Sequence, residues 1–382
     1  MLNKVIPDYL LWMEKNGYKQ STIQRAKQVF RRFSLFVERE RILWRSIFIA
    51  DTIDAFQKET GLRNISAVRG LCGYLVKEKG MAAPEDKDKR RLPEIYEEFL
   101  RYDAKMCQSS TKNILCKRRV LTALHDYLQR HKILLPQIKI EELDAYFAEY
   151  TASFSPSTCN SYRCALRGFL TYLYREKGII KRDLASLLVG PPIYEMARPP
   201  KFLKKTQVSQ LFQSIDLTGA NGLRTYAICT LAYTLGLRPK EISLIRLDDI
   251  SFAERTLILR ERKGANPMKL PLPEQVMEAI AAYVIGGRPK SSARRLFLCS
   301  MAPHTPSTSS GVSLIINRAM RRAKITGTAY WLRHTYAQNL LDGGASIFEI
   351  KEMLGHQSIQ SSKRYISIHI KLMREVMFDE IL

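Results

Sequence analysis

Apolar and polar residues alternate along most of this chain with a helical period. In the stretch from Ser110 to Arg130, Ile114, Val120, Leu121, Leu124 and Leu128 fall on one face, while Lys117, Arg118 and Arg119 lie between them. The pattern also repeats. Residues Arg69 to Gly80 recur at Arg167 to Gly178 with seven of twelve positions identical. Upstream, Ser21-Thr22 matches Ser110-Thr111, and Asp54-Ala55-Phe56 matches Asp144-Ala145-Tyr146, so the offset grows from 89 to 98 along the copy. Each copy reads as a bundle of about four helices with basic residues outside, and Ser110 and Ser157 are the expected N-caps. Two copies are too few for a solenoid, and a duplicated module is the simpler reading.

Two breaks punctuate the pattern. Met81 to Arg91 carries Ala-Ala-Pro and then a charge run, which reads as a linker. Gly190-Pro191-Pro192 and Arg198-Pro199-Pro200 form a second, stiffened by proline and flanked by positive charge. Beyond about residue 203 the periodicity changes. Thr206 is the expected cap of a helix through Ile215, and Tyr226 to Leu235 reads as a buried helix. The short apolar runs Thr256–Arg260 and Met268–Leu272 predict a β-hairpin whose turn carries Lys263. Helices are expected at Gly311–Lys324, Arg333–Asp342, Ile347–Leu354 and His369–Leu382, with Gly343-Gly344 as a C-cap.

Composition narrows the function. The 382 residues suggest two or three domains, and 46% apolar with 26% charged residues fits an ordered globular protein. The formal net charge is +24, distributed as +8 over residues 1–91, +4 over 92–200 and +12 over 201–382. A folded chain that is basic throughout calls for a polyanion, of which nucleic acid is the foremost; the alternative is a solvated excess with no partner. The longest apolar run, Tyr226 to Leu237, is too short to cross a bilayer, and Asp8 interrupts the apolar N-terminus, so neither a membrane span nor a signal peptide is expected. Seven cysteines without a C-x-x-C pair or histidines at zinc spacing read as reduced core thiols in the cytoplasm; no metal or cofactor is expected.

Three segments carry candidate chemistry. They are Thr234-Leu235-Gly236-Leu237-Arg238-Pro239-Lys240-Glu241, then Tyr330-Trp331-Leu332-Arg333-His334-Thr335, then Leu354-Gly355-His356-Gln357-Ser358 leading to Lys363-Arg364-Tyr365. Each alone is weak, since arginines, glycines and tyrosines in such places usually serve structure. In this order and spacing they resemble the tyrosine recombinase (phage integrase) family. The resemblance covers roughly residues 95–382 and is strongest over Ala329–Ile368.

The resemblance implies a mainly α fold, with helical core-binding-type bundles, here duplicated, followed by a mixed α+β catalytic domain with a small hairpin, closing on DNA as a C-shaped clamp. Residues 92–182 match the core-binding domain and 203–382 the catalytic domain, leaving 1–82 as an extra core-binding-like module. It further implies site-specific recombination of double-stranded DNA through a 3′-phosphotyrosine, without metal or ATP. Tyr365 matches the nucleophile, Arg238 and Arg333 the arginines on the phosphate, and Lys263 the lysine that protonates the departing oxygen. His356 matches the hydrogen-bond donor to the phosphate. Glu241 is expected to orient its neighbours and His334 to support the fold. One position departs: where the family usually has histidine, this chain has Tyr330. A phenol titrating near 10 is a poor base, so a hydrogen bond to the phosphate is its expected role.

The amphipathic tail after Tyr365 matches family tails that dock into a neighbouring protomer, which implies a homotetramer on DNA in the nucleoid. Integration or excision of a mobile element is the favoured role, with replicon-dimer resolution or a DNA-architectural protein of degenerate catalysis as alternatives.

Overall fold

The computed structural model describes residues 2–62, 65–82, 84, 92–190, 201–261 and 267–355. The described parts of 1–84 and 195–382 group as one compact unit, and those of 85–194 as another.

The first unit opens with four helices, α1 (Leu2–Lys15), α2 (Gln20–Arg39), α3 (Ala50–Thr60) and α4 (Ser66–Glu78). Their apolar faces share one core, in which Phe30, Phe33, Phe56 and Leu71 are fully buried. The second unit is built alike from α5 (Glu94–Met106), α6 (Thr111–Arg130), α7 (Ile140–Thr151) and α8 (Pro156–Thr171), and adds a π-turn at Tyr172–Glu176 and the short α9 (Leu184–Leu187). In both copies a 3-10 turn, Trp44–Ser46 or Leu135–Gln137, precedes the third helix.

The repeat is therefore three-dimensional. Val68, Leu71, Tyr74 and Leu75 are buried in α4, as are Leu166, Phe169, Tyr172 and Leu173 at the offset of 98. The repeated glycines face equivalent aromatic rings but only the first is tightly packed: a Cβ on Gly70 would meet the Tyr9 hydroxyl at 2.4 Å, whereas one on Gly168 would lie at ordinary contact distance, 3.7 Å, from the Phe99 ring. The early register is corrected. Both α2 and α6 are twenty residues long at an offset of 91, so Phe30, Phe33 and Val37 correspond to Leu121, Leu124 and Leu128. Ser21-Thr22 lies inside the first turn of α2, whereas Ser110 is the N-cap of α6, accepting from the Asn113 amide at 3.4 Å. A shared Ser-Thr pair set the offset of 89, but helix geometry overrides it.

Two expected caps also shift. Ser155, not Ser157, caps α8, with Pro156 at the first helical position, where its missing N–H costs nothing. The helix α10 (Lys205–Gln213) starts before Thr206, because the Gln207 side chain accepts from the Lys204 amide at 3.0 Å.

Residues from 201 onward surround α11 (Ala220–Thr234), whose residues Ala227 to Ala232 are all fully buried. A helix enclosed on all sides is the interior rod of its domain. Cys229 lies within it, and burial pushes its thiol up to about 12, marking an inert core cysteine; of the seven it alone is fully buried, and Cys107 and Cys164 are exposed, which corrects the expectation of core thiols throughout. Around the rod lie α12 (Pro239–Leu244), α13 (Glu274–Gly286), α14 (Ser309–Arg322) and α15 (Ala329–Asp342), with α16 (Ile347–Leu354) against α15. The expected hairpin gains a strand: β1 (Ile250–Ser251), β2 (Thr256–Leu259) and β3 (Met268–Pro271) form an antiparallel sheet in that order, with Leu259 opposite Met268. Among the described residues no helix is long and apolar enough to cross a membrane. The expected helix His369–Leu382 lies outside the described residues.

Candidate active site

The site forms where the C-terminal end of α11 turns into α12. Gly236 occupies that turn at φ +61°, and a Cβ there would meet the Tyr336 ring at 2.3 Å. Only glycine meets both the dihedral and the space. Arg238 follows as the N-cap of α12, with Pro239 at the first helical position. Its backbone N–H donates to Glu241 Oε2 at 2.8 Å, and its guanidinium donates to Glu241 Oε1 at the same distance. One carboxylate thus caps the helix and holds the arginine that precedes it.

The second arginine arrives from α15. That helix begins at Ala329, four residues before the sequence pattern places it, with Thr328 as N-cap, so Tyr330 and Arg333 lie one turn apart on the same helix. Arg333 is only 4% exposed. Its guanidinium donates to the Gly236 carbonyl and to the Leu354 carbonyl, each at 2.5 Å, and lies 3.8 Å from Glu241. Arg238 also reaches the Leu354 carbonyl, at 3.5 Å. Leu354 ends α16, where Gly355 turns left-handed at φ +60°. Both arginines are therefore tied to the same carbonyl and the same carboxylate.

The electrostatics follow from this arrangement. Two guanidinium groups in one place would repel, and Glu241, 4% exposed, neutralises one of them. The cluster keeps a net charge of about +1 beside Leu354, the second residue before His356. Arg238, with a quarter of its side chain exposed, is the more accessible of the two. Such a site favours an anion that can take forked N–H donors.

Of the expected site residues, the structure brings Arg238, Glu241 and Arg333 together. Tyr330 lies half exposed on the first turn of α15, and His334 is partly buried on the same helix. Lys263, His356 and Tyr365 lie outside the described residues. Tyr336, one turn from Arg333 on α15, packs its ring against Gly236, and burial raises the pKa of its phenol against the pull of Arg333.

Sequence reasoning missed three supports. Gly236 stands in a quoted string, yet its positive φ and its carbonyl are not visible there. The Leu354 carbonyl carries no side-chain signature at all. Thr335 accepts from the Leu203 amide at 2.9 Å and donates to the Trp331 carbonyl, fixing where the chain enters this region.

Comparison with known proteins gives a consistent picture. Residues 201–371 match the phage integrase family and 96–177 the phage integrase N-terminal SAM-like domain. A putative integrase/recombinase, y4rA, of Sinorhizobium fredii is 32% identical over 64% of this chain and 60% of its own length. The tyrosine recombinase XerC of Oceanobacillus iheyensis is 31% identical over 55% of this chain and 70% of its own. Among solved structures, the XerH site-specific recombinase bound to a palindromic difH substrate superposes with a TM-score of 0.60 at 18% identity, covering 74% of this chain and 84% of that one. The Tn1549 transposon integrase in complex with circular intermediate DNA gives 0.57 at 16% identity, covering 74% and 98%.

Proposed function

The chain belongs to the tyrosine recombinase (phage integrase) family, and we propose that it cuts and rejoins double-stranded DNA at specific sites of a mobile element. The observation that carries the mechanism is the paired guanidinium groups of Arg238 and Arg333, held by one carboxylate and one carbonyl.

The chemistry divides among these residues. The Tyr365 hydroxyl gives up its proton to solvent as its oxygen attacks phosphorus, forming a 3′-phosphotyrosyl bond while the bond to the 5′-oxygen breaks. The departing oxygen takes a proton from Lys263. Charge builds on the non-bridging oxygens, where Arg238, Arg333 and His356 donate hydrogen bonds; preorganised donors of this kind are worth about 2.7–4 kcal/mol each. Glu241 is a positioning residue, since it holds both arginines without reaching the phosphate. Tyr330 donates a further hydrogen bond. The phosphotyrosyl bond conserves the phosphodiester energy, so a 5′-hydroxyl of another strand reverses the attack without ATP.

The fuller reading is a homotetramer on DNA in the nucleoid, each C-terminal tail docked on a neighbouring protomer. Resemblance to XerC and XerH, the latter bound to a difH substrate, supports replicon-dimer resolution as the second reading. The Tn1549 transposon integrase and the putative integrase of Sinorhizobium fredii support the first. The test is trapping on nicked duplexes drawn from the native genomic neighbourhood. A covalent adduct lost in Tyr365→Phe is expected; no adduct on any bound duplex would leave only an architectural DNA-binding role.

A further inference from the structure

The α2 helix of the first module carries a pattern that the cleavage site does not use. Neither family match extends into residues 1–95. Over its whole length, Gln20–Arg39, α2 holds five cations, Arg25, Lys27, Arg31, Arg32 and Arg39, against one acidic residue, Glu38, and the first four of those cations precede it. All four cations are exposed, and among the described residues none of them forms an ion pair.

Their arrangement is ordered. At 3.6 residues per turn, the exposed arc of α2 spans about 160°. Gln24, Leu35, Gln28 and Ser21 occupy its middle, Arg25 and Arg32 one edge, and Lys27 and Arg31 the other, where Glu38 of the last turn also projects. A row of uncharged side chains, two glutamines and a serine around the apolar Leu35, between two cationic edges matches a duplex groove, with base edges and thymine methyls at its floor and a phosphate strand on either wall. The B-form major groove, about 12 Å wide, admits a helix of this diameter.

The second module shows that the pattern is not a by-product of the fold. At the offset of 91 Phe30, Phe33, Phe36 and Val37 keep their burial at Leu121, Leu124, Tyr127 and Leu128, yet Gln24, Arg25, Arg31 and Arg32 are replaced by Leu115, Cys116, Thr122 and Ala123, while Lys27 and Gln28 correspond to Arg118 and Arg119. The cations it does carry are largely consumed internally. Arg118 forks onto Glu97, with one arm at 2.6 Å, and Lys117 reaches the buried Asp103 at 2.5 Å. In the first module the corresponding positions of α1, where the buried pairs Leu2/Leu92 and Tyr9/Phe99 set the offset at 90, are the apolar Pro7 and Met13. The duplicate has kept the scaffold and freed its second helix.

We propose that α2 reads duplex DNA outside the cleaved site: Gln24 and Gln28 hydrogen-bond base edges, and Arg25, Lys27, Arg31 and Arg32 hold phosphates of both strands. The inference rests on the chain being a DNA-binding protein, and not on cleavage.

The test uses the full chain and a duplex pool with a long randomised segment, from which bound sequences are selected. Changing all four cations to Gln is expected to flatten the dependence of log affinity on log salt by about three to four units, at ~0.9 per phosphate contact. Gln24→Ala with Gln28→Ala is expected to leave that slope in place while the selected motif loses its preference at adjacent positions. An unchanged slope in the first variant overturns the phosphate contacts, and an unchanged motif in the second overturns base reading. All six positions are exposed, so neither variant disturbs the core. Covalent trapping is not the readout, so failure of the cleavage reading leaves both results interpretable.

Discussion

At the scale of single residues, the site depends on groups shared between side chains. Arg333 bridges two backbone carbonyls that lie 97 and 21 residues away in sequence, and only a planar fork can span both. Lysine keeps the charge but not the fork. Arg333→Lys should leave a buried carbonyl without its donor, costing about 1–3 kcal/mol of stability. Single-turnover cleavage should fall about 100-fold or more, while DNA affinity changes little. Thermal melting and adduct formation measured on the same preparation would show the two losses. Tyr330 makes a smaller claim. If its hydroxyl bonds the phosphate in the transition state, Tyr330→Phe should slow single-turnover cleavage by about fivefold to tenfold, as loss of ~1 kcal/mol implies. An unchanged rate would remove Tyr330 from the mechanism.

At the scale of elements, internal ion pairs decide how the helices of the second module are held. The Arg118 guanidinium on α6 forks onto Glu97 of α5 and holds that carboxyl below its ordinary range. A depressed carboxylate stabilises the fold above its unfolded value, near 4.3, and the contribution disappears as the pH falls through the depressed one. The protection factors of amides in α5 and α6, which are corrected for the intrinsic pH dependence of exchange, should therefore fall below about pH 4.5. In Arg118→Gln that extra acid sensitivity should be smaller, because the folded and unfolded carboxyls then titrate more nearly alike. An identical acid profile in the two proteins would mean that the pair contributes nothing to the packing of α5 on α6. Elements also explain where boundaries were misplaced. The helix α15 begins at Ala329 and so carries Tyr330: its first turn buries Ala329 and Leu332, but one alanine and one leucine are too few for an apolar period to show in the sequence before Arg333. Caps behave similarly. Both Ser155 and Ser157 are good cap residues, and the choice falls to the serine whose oxygen meets the amide three residues on.

At the scale of the whole molecule, the charge of +24 has acquired structure. Part is cancelled inside the second module, part is concentrated at Arg238 and Arg333, and part lines the exposed arc of α2. The proposed assembly adds a prediction at this level. Removing residues 369–382 should abolish higher-order complexes on DNA and reduce cleavage, as read by gel mobility and adduct yield. Full cleavage by a truncated protein that binds as a monomer would exclude exchange of tails.

Periodicity, identity and charge are written residue by residue, so the helical class, the duplication, the basic character and the strings that hold the candidate site residues are legible in the order of amino acids alone. The 98-residue echo of Arg69–Gly80 and the burial at Leu71 and Phe169 express the same information. Only the tertiary structure decided which cations are spent on internal carboxylates and which remain exposed, since Arg118 and Arg31 look alike in a sequence. It also decided that the carbonyls of Gly236 and Leu354 draw Arg333 in, with Arg238 sharing the second. A backbone carbonyl has the same chemistry at every residue, so its role comes from where the fold places it and leaves no mark in the choice of amino acid.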